Sequence, residues 1–170
     1  MGESIRFLEK EEFSRTVELA KLCFGDEDFD GEYFDRDILL NRVAVKERDG
    51  VILSMVHLSE RRLHFSGGRS TDALYILYVA TRPEERHKGY MDEVMEFVFE
   101  QMRKEKRELT FLVPVDDRIY RHLGFLYDWK FNEEERELLY ADEGLDKCCA
   151  KLICGESFEK PEKITLKSPC

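Results

Sequence analysis

The sequence has no apolar stretch as long as the roughly 18 residues that a membrane-spanning helix needs. Its first residues, MGESIRFLEKEEF, carry too many charges for a secretory signal peptide. It also lacks the GxGxxG fingerprint of dinucleotide-binding folds and the lysine motif of NTP-binding loops. These absences argue against a membrane span, secretion and the binding of dinucleotides or nucleoside triphosphates, and we expect a cytoplasmic protein.

Basic residues are fewer than acidic ones. There are 27 Lys and Arg against 37 Asp and Glu, which gives a net charge of −10 and a pI of about 5.0. A protein that binds nucleic acid needs a basic face for the phosphate backbone, so we expect no nucleic-acid partner. The negative charge suits a cationic substrate, but solubility alone is the commoner reason for it.

Paired cysteines are missing as well. None of the five cysteines forms a CxxC pair, and four of them, Cys148, Cys149, Cys154 and Cys170, lie in the C-terminal tail. An odd number of cysteines in a chain with no signal segment predicts free, reduced thiols. A metal site built from the tail cysteines would need an unusual ligand spacing, so we expect no metal.

The sequence does contain one informative stretch, ALYILYVATRPEERHKGYMDEVMEFVFEQM, over residues 73–102. The apolar run Ala73–Ala80 predicts a strand that is buried on both faces. A polar loop leads to Gly89, and a helix follows whose apolar residues recur at three- and four-residue spacing: Met91, Val94, Met95, Val98 and Met102.

This strand–loop–helix junction predicts an anion site. The first N–H groups of a helix have no partners within the helix, and the helix dipole adds partial positive charge there. Arg86 and Lys88 lie just before the helix, and Gly89 permits close approach to the backbone. The alternative is a surface loop whose charges face water, and the geometry alone leaves both open.

The segment Arg86-His87-Lys88-Gly89-Tyr90-Met91 resembles the Arg/Gln-x-x-Gly-x-Gly/Ala signature of the GNAT superfamily of acyl-CoA-dependent N-acetyltransferases, in particular a bacterial branch with the pattern VATxPexRgkGYM. A second block, Tyr120-Arg121-His122-Leu123-Gly124-Phe125, resembles the Tyr-x-x-x-Gly-Phe element of that family. The two departures are His87, where Gly or Arg is commoner, and Met91, where a small residue is commoner. Met91 is expected to point into the core.

The resemblance implies an α/β (α+β) GNAT fold, with a mixed, mostly antiparallel central sheet of about six or seven strands flanked by helices. Within that sheet a parallel pair of strands, one of them Ala73–Ala80, is expected to splay apart. We expect a single domain over residues 1–170, with a family-like core at about 4–140 and an unassigned tail at 141–170.

The resemblance also implies a binding site for acetyl-CoA, or CoA, as the acyl donor. The residues expected to bind it are Tyr78, Val79, Ala80, Thr81, Arg86, His87, Lys88, Gly89, Tyr90 and Met91. Tyr120 is the expected general acid for the departing thiolate, since a phenol and a thiolate have similar basicity. The alternative for Tyr120 is a purely structural tyrosine in the core.

The acceptor side is less defined. Asp28, Phe29, Asp30 and Tyr33 belong to an acidic, aromatic-containing segment at the place where the family builds one wall of its acceptor site. His57 is a further candidate, although a lone histidine in a strand is more often structural. No general base stands out, and His57, Glu60 or a chain of water molecules remains open.

Near the C-terminus, Glu137–Tyr140 is expected to form the last family strand, Asp142–Cys154 to be weakly helical, and Lys163–Lys167 to be a short strand. The expected function is transfer of an acetyl or short acyl group from CoA to a primary amine. The alternative is a non-catalytic module of the same fold that binds acyl-CoA. A small, cationic amine is the expected partner, and homodimerisation is left open.

Overall fold

The computed structural model describes residues 2–25, 41–154 and 164–167. The strands are β1 (Glu3–Phe7), β2 (Asn41–Arg48), β3 (Val51–Phe65), β4 (Ser70–Thr81), β5 (Leu109–Leu112), β6 (Tyr127–Lys130), β7 (Lys147–Leu152) and β8 (Ile164–Lys167). The α-helices are α1 (Val17–Phe24), α2 (Tyr90–Lys104), α3 (Arg118–Arg121) and α4 (Glu133–Leu139), with 3-10 helices at Lys10–Thr16 and Pro83–Glu85. None of these helices is long and apolar enough to cross a membrane.

The described strands form one mixed sheet in the order β1-β2-β3-β4-β5-β7-β6, and β8 pairs with β3. The pairs β1–β2, β2–β3, β3–β8, β5–β7 and β6–β7 are antiparallel. β4 and β5 are parallel, and their pairing extends only from Leu74 opposite Thr110 to Ile76 opposite Leu112. The predicted fold class, a mostly antiparallel sheet with one parallel pair and flanking helices, is therefore confirmed.

The chain divides into two compact units, one made of Met1–Ser59 and Leu77–Gln101 and the other of Glu60–Ile76 and Met102–Cys170. Strands β3 and β4 and helix α2 each contribute residues to both units. The expectation of a single domain stays a prediction.

In the first unit, β2 and β3 form a hairpin. Asp49 and Gly50 make its turn with φ angles of 51° and 81°, the left-handed values that a tight two-residue hairpin turn requires. The face of α2 predicted from the spacing is buried at Val94, Met95 and Val98. Met91 is only half-buried, so it does not point fully into the core as predicted.

The core of the second unit centres on Phe111 of β5, which is fully buried. Its ring stacks on Tyr75 at 5.1 Å between centroids and lies 5.5 Å from the ring of Trp129. The Tyr75 hydroxyl donates a 2.6 Å hydrogen bond to the carbonyl oxygen of Leu139, at the end of α4. Aromatic packing thus joins β4, β5 and β6 to that helix.

The predicted strand Glu137–Tyr140 is wrong, because most of it belongs to helix α4. Asn132 caps the helix by accepting a 2.9 Å hydrogen bond from the Glu135 N–H, and the Glu135 side chain accepts from the Asn132 N–H at 3.2 Å. This reciprocal capping box fixes the start of a helix. The sequence did not predict this helix because the acidic run at residues 133–135 is typical of a solvated turn.

The predicted weak helix over Asp142–Cys154 is also wrong, since β7 occupies its second half. β7 pairs with both β5 and β6, and Cys148, Cys149 and Ala150 are fully buried there. A short apolar segment has no period of its own, so burial between two strands decides its conformation. The strand expected at Lys163–Lys167 is confirmed as β8.

We predict that Phe111→Ala lowers the free energy of unfolding by about 3–5 kcal/mol, because it removes a fully buried ring and leaves a cavity. Leu126→Ala is the matched control in the same unit, since Leu126 is 63% exposed and should change stability by less than about 0.5 kcal/mol. Urea denaturation measures both. Equal effects of the two substitutions would contradict this description of the core.

Candidate functional site

The junction between β4 and α2 has a backbone shaped for ligand approach. After β4 ends at Thr81, a short 3-10 turn leads to His87 and Gly89, whose φ angles are 65° and 82°. A Cβ atom at Gly89 would meet no heavy atom within 4 Å, so the space above this residue is open. The left-handed conformation of His87 explains why a glycine suits this position in related sequences.

The backbone N–H groups of residues 87–91 are available. Within the described ranges of the chain, none of them makes a well-aligned hydrogen bond to a backbone carbonyl, and the first hydrogen bond of α2 runs from the Glu93 N–H to the Gly89 carbonyl oxygen at 3.1 Å. Unbonded N–H groups and the helix dipole together favour an anion at this end of α2.

The basic side chains of this loop are partly engaged. The Lys88 ammonium donates a 2.7 Å hydrogen bond to Glu85, and the Arg86 Nε donates to the Thr81 carbonyl oxygen at 3.2 Å. The hydrogen bond from Lys88 holds the pKa of Glu85 below its usual value. An anion at this loop would therefore meet mainly backbone N–H groups, because the positive charges of Arg86 and Lys88 are partly engaged within the protein.

Two residues of β2 that the sequence analysis missed contact Tyr90, the first residue of α2. The Arg48 guanidinium donates to the Tyr90 hydroxyl at 2.9 Å, and the Lys46 Nζ lies 4.2 Å from the centroid of the Tyr90 ring. Lys46 and Arg48 are two residues apart and so lie on one face of the strand. That spacing was the available signal, but more than 40 residues separate β2 from Tyr90 in sequence.

Strand β4 is distorted just before the loop. Tyr78 has a φ of 48°, an unusual value for a tyrosine within a strand, and the parallel pairing with β5 ends two residues earlier at Ile76. Such a distortion re-aims side chains and frees backbone groups from the ladder. Of the predicted donor-binding residues on β4, Tyr78, Val79 and Thr81 are half-buried and Ala80 is buried.

His57 is buried beside this distortion, and its ring meets the Tyr78 ring edge-on at 5.7 Å between centroids. Phe24, at the end of α1, also meets the Tyr78 ring edge-on at 5.7 Å between centroids. Burial lowers the pKa of His57 to about 3, so the imidazole is neutral at physiological pH and a weak proton acceptor. These three rings form an uncharged aromatic wall.

The structure describes only one of the other residues expected on the acceptor side. Glu60, the second candidate base, is held by the Arg107 guanidinium, with one hydrogen bond of 2.8 Å. Asp28, Phe29, Asp30 and Tyr33 lie outside the described residues, so their roles stay predictions. No group of three or more His, Cys, Asp or Glu side chains in the described ranges is arranged to hold a metal ion.

Tyr120 lies in α3 within the second unit and is half-buried. Its ring packs edge-on against Phe125 at 6.0 Å, and its hydroxyl makes no hydrogen bond to any residue that the structure describes. Burial raises its pKa, so the phenol keeps its proton at neutral pH and is able to act as an acid.

Charged side chains surround α3. Asp117 accepts hydrogen bonds from Arg121 at 2.7 Å and from Lys147 at 2.8 Å, which lower its pKa to about 2. A cavity of about 350 Å³ lies beside this helix and is lined by Pro114, Val115, Asp116, Asp117, Arg118 and Lys147. The carboxylates of Asp116 and Asp117 are both paired with basic residues, so they stabilise the loop rather than present free negative charge.

The sequence from residue 4 to residue 127 matches the family model of the acetyltransferase (GNAT) domain. The match covers most of the chain, and the protein belongs to the GNAT acetyltransferase family. No curated protein sequence matches it significantly.

Solved structures show the same fold. A probable N-acyltransferase of unknown function from Enterococcus faecalis V583 superimposes with a TM-score of 0.67 at 22% identity, over 75% of this chain and 34% of that one. A GNAT family acetyltransferase from Brucella melitensis in complex with acetyl-CoA gives 0.60 at 19% identity, over 74% and 83% of the two chains. PaiA N-acetyltransferase from Thermoplasma acidophilum in complex with coenzyme A gives 0.61 at 15% identity, over 89% and 99%. The chain spans only about a third of the Enterococcus protein.

Buried His57 predicts a specific pH dependence of stability. Because its folded pKa of about 3 lies below the unfolded value, the unfolded state binds the extra proton as pH falls, and stability is lost below about pH 6.5. Between pH 6.5 and pH 5 this contributes a loss on the order of 1.5 kcal/mol.

Urea unfolding of wild type, His57→Gln and the control His87→Gln at the two pH values measures this contribution. His57→Gln should show a smaller pH dependence, whereas the variant of the exposed His87 should behave as wild type does. Identical pH dependences for all three proteins would show that His57 is not protonated on unfolding.

Proposed function

We propose that this protein transfers an acetyl or other short acyl group from CoA to a primary amine by direct transfer, without a covalent acyl-enzyme. The observation that supports this most strongly is that the backbone N–H groups at residues 87–91, which coincide with the family motif, make no well-aligned hydrogen bond within the described parts of the chain. The acetyl-CoA and CoA complexes of the Brucella and Thermoplasma proteins are in agreement with such a donor.

In this proposal the N–H groups of His87 to Met91 hold the diphosphate of the donor. Arg86 and Lys88 add positive charge, with Lys88 exchanging Glu85 for a phosphate oxygen. The backbone from Tyr78 to Thr81, next to the distortion in β4, is proposed to pair with the pantetheine arm and to polarise the thioester carbonyl. Catalysis then consists largely of positioning the two reactants.

The amine must lose a proton before it attacks, because an alkylamine has a free pKa near 10. Neither candidate base is well suited to this step, since His57 is neutral with a low pKa and Glu60 is paired with Arg107. We propose that water carries this proton. The lone pair of the neutral amine then attacks the thioester carbon, the attacking nitrogen releases its second proton to water, and the tetrahedral intermediate collapses to the amide with loss of the CoA thiolate.

Tyr120 is proposed to protonate the departing thiolate. Its raised pKa keeps the phenol protonated, so that the proton is present when the thiolate forms. Its hydroxyl forms no hydrogen bond with a described side chain that would compete for the same proton. A non-catalytic acyl-CoA-binding module would have no use for such an acid.

The proposed acceptor is a small, cationic amine. This rests on the acidic and aromatic residues of the segment from Asp26 to Phe34, whose carboxylates would attract the cation while the rings cover its alkyl part. We propose that transfer takes place in the cytoplasm, where acetyl-CoA is available.

Release of free thiol from acetyl-CoA in the presence of an amine panel tests the function directly. We expect thiol release that depends on the amine and on the protein. Binding of acetyl-CoA with no release for any amine would instead favour the non-catalytic module.

Donor binding predicts a thermal shift. Acetyl-CoA at about 100 times its dissociation constant should add roughly 2.7 kcal/mol to the free energy of unfolding, which is visible as a higher Tm. Gly89→Pro should abolish the shift because proline cannot adopt the φ of 82° or supply the N–H group.

His87→Gly is the matched control for that substitution. Glycine adopts the φ of 65° without strain, so the Tm and the shift should both be retained. If saturating acetyl-CoA leaves the melting curve of the folded wild-type protein unchanged, the proposed function is wrong.

Tyr120→Phe is predicted to lower kcat by about 100-fold or more with little change in CoA affinity, because it removes the proton but keeps the ring that packs on Phe125. Steady-state kinetics, with isothermal titration calorimetry for CoA, separates the two effects. An unchanged kcat when chemistry is rate-limiting would leave Tyr120 with a packing role only.

Charge reversal tests the acceptor class. The double variant Asp28→Lys with Asp30→Lys should raise KM for polyamines or aminoglycosides, and the rise should shrink at high salt because ions screen the attraction. KM values measured at two salt concentrations, with anionic amines as the comparison, show whether this segment attracts cationic acceptors. Equal turnover of anionic and cationic amines, or indifference to the charge reversal, would exclude a cationic acceptor site at this segment.

A further inference from the structure

We propose that Lys46 and Arg48 of strand β2 are positioning residues for the acyl donor, because they fix Tyr90 and thereby the N–H groups at the start of α2. The inference rests on the proposed function and extends it to two side chains outside the family motif. All of the contacts that support it lie within the first unit.

Arg48 holds the edge of Tyr90. Its Nη2 donates to the Tyr90 hydroxyl at 2.9 Å, and its Nη1 lies 3.4 Å from a carboxylate oxygen of Glu85. Glu85 in turn accepts from Lys88, so one guanidinium contacts both ends of the loop that spans residues 85–90. Arg48 is itself held by Glu3 of β1. A rigid sheet therefore defines where this loop lies.

Lys46 holds the face of the same ring. Its side chain is only 7% exposed, and its Nζ lies 4.2 Å from the Tyr90 centroid, within the range of a cation–π contact. Burial alone would lower the pKa of Lys46, but hydrogen bonds to Glu93 and Glu3 outweigh burial and raise it. The ammonium is therefore charged, and Tyr90 is fixed on its face and at its hydroxyl.

Lys46 also has an electrostatic effect on the donor site. Glu93 lies in the first turn of α2, where its negative charge would repel a diphosphate at the helix N-terminus. The ion pair with Lys46 neutralises that charge. Loss of Lys46 would remove a positional restraint and also expose the donor to an unpaired carboxylate.

The position of α2 matters because backbone N–H groups cannot adapt individually. Several of them must converge on one diphosphate, so a displacement of the helix start weakens all of the hydrogen bonds at once. Flexible lysine or arginine side chains would tolerate such a shift. The two β2 residues should thus affect the nucleotide half of CoA and leave the pantetheine half unaffected.

The test compares CoA with pantetheine, which has the thiol arm but no diphosphate. Dissociation constants for CoA come from isothermal titration calorimetry, and those for pantetheine from NMR titration, which suits weak ligands. The proteins are the wild type, Tyr90→Phe, Arg48→Gln, Arg48→Lys and the control Arg62→Gln, whose residue forms an exposed ion pair with Asp72 in the second unit. Melting temperatures verify that each variant is folded.

Tyr90→Phe keeps the ring over Lys46 and removes only the hydroxyl, so it tests the inference even if Arg48→Gln fails to fold. Both variants should weaken CoA binding by about 5- to 10-fold and leave pantetheine binding unchanged. Arg48→Lys should recover part of the loss, since it keeps a charged donor. A double variant that combines Tyr90→Phe with Arg48→Gln should bind CoA no more weakly than Arg48→Gln alone, because both changes remove the same hydrogen bond.

A second pair of variants tests the electrostatic part. Lys46→Met should weaken CoA binding by about 10-fold, and the addition of Glu93→Gln should restore part of the affinity, because the repelling carboxylate is then absent. No recovery in the double variant would overturn this part of the proposal.

The controls distinguish failure of the positioning role from failure of the proposed function. Equal weakening of CoA and pantetheine, or no change in either, would overturn the positioning role while wild-type CoA binding leaves the proposed function intact. Failure of the wild-type protein to bind CoA would overturn the proposed function, and the positioning role with it.

Discussion

A helix cannot satisfy its own first N–H groups, and the proposed activity of this protein depends on that constraint. At the start of α2 the groups at residues 87–91 stay unbonded among the described parts of the chain. The short turn after β4 and the left-handed residues His87 and Gly89 keep neighbouring carbonyl groups and side chains away from them. An anion can then take the place that one further helical turn would fill.

The surrounding charges are arranged to leave this backbone site open. Glu85 and Glu93, either of which could repel an anion, are paired with Arg48 and Lys46 respectively. Tyr90 is fixed by contacts with β2, and Tyr78 breaks the regular geometry of β4. The result is a candidate anion site in a protein whose net charge is −10, and in this proposal local pairing outweighs the overall charge at this surface.

The sequence was informative where one local pattern determined the structure. The apolar run Ala73–Ala80 and the spacing of Val94, Met95 and Val98 predicted β4 and α2 correctly. It failed in the tail because β7 has no period that distinguishes it from a helix, and its pairing with β5 and β6 decides its conformation.

The sequence likewise predicted only part of the candidate site. The motif located the loop, but the contacts from Lys46 and Arg48 to Tyr90 join residues far apart in sequence and could be seen only in three dimensions. Likewise, the sequence showed a histidine at position 57, whereas the low pKa that disfavours it as a base follows from its complete burial.

The most direct test of the central claim is an NMR titration of the uniformly ¹⁵N-labelled protein with CoA, followed at the backbone amides. We predict that the largest shifts, downfield in the proton dimension as expected for new hydrogen bonds, occur at residues 87–91, while amides of the Asp49-Gly50 turn stay unchanged. Saturable CoA binding that leaves the amides of residues 87–91 unshifted would contradict the account.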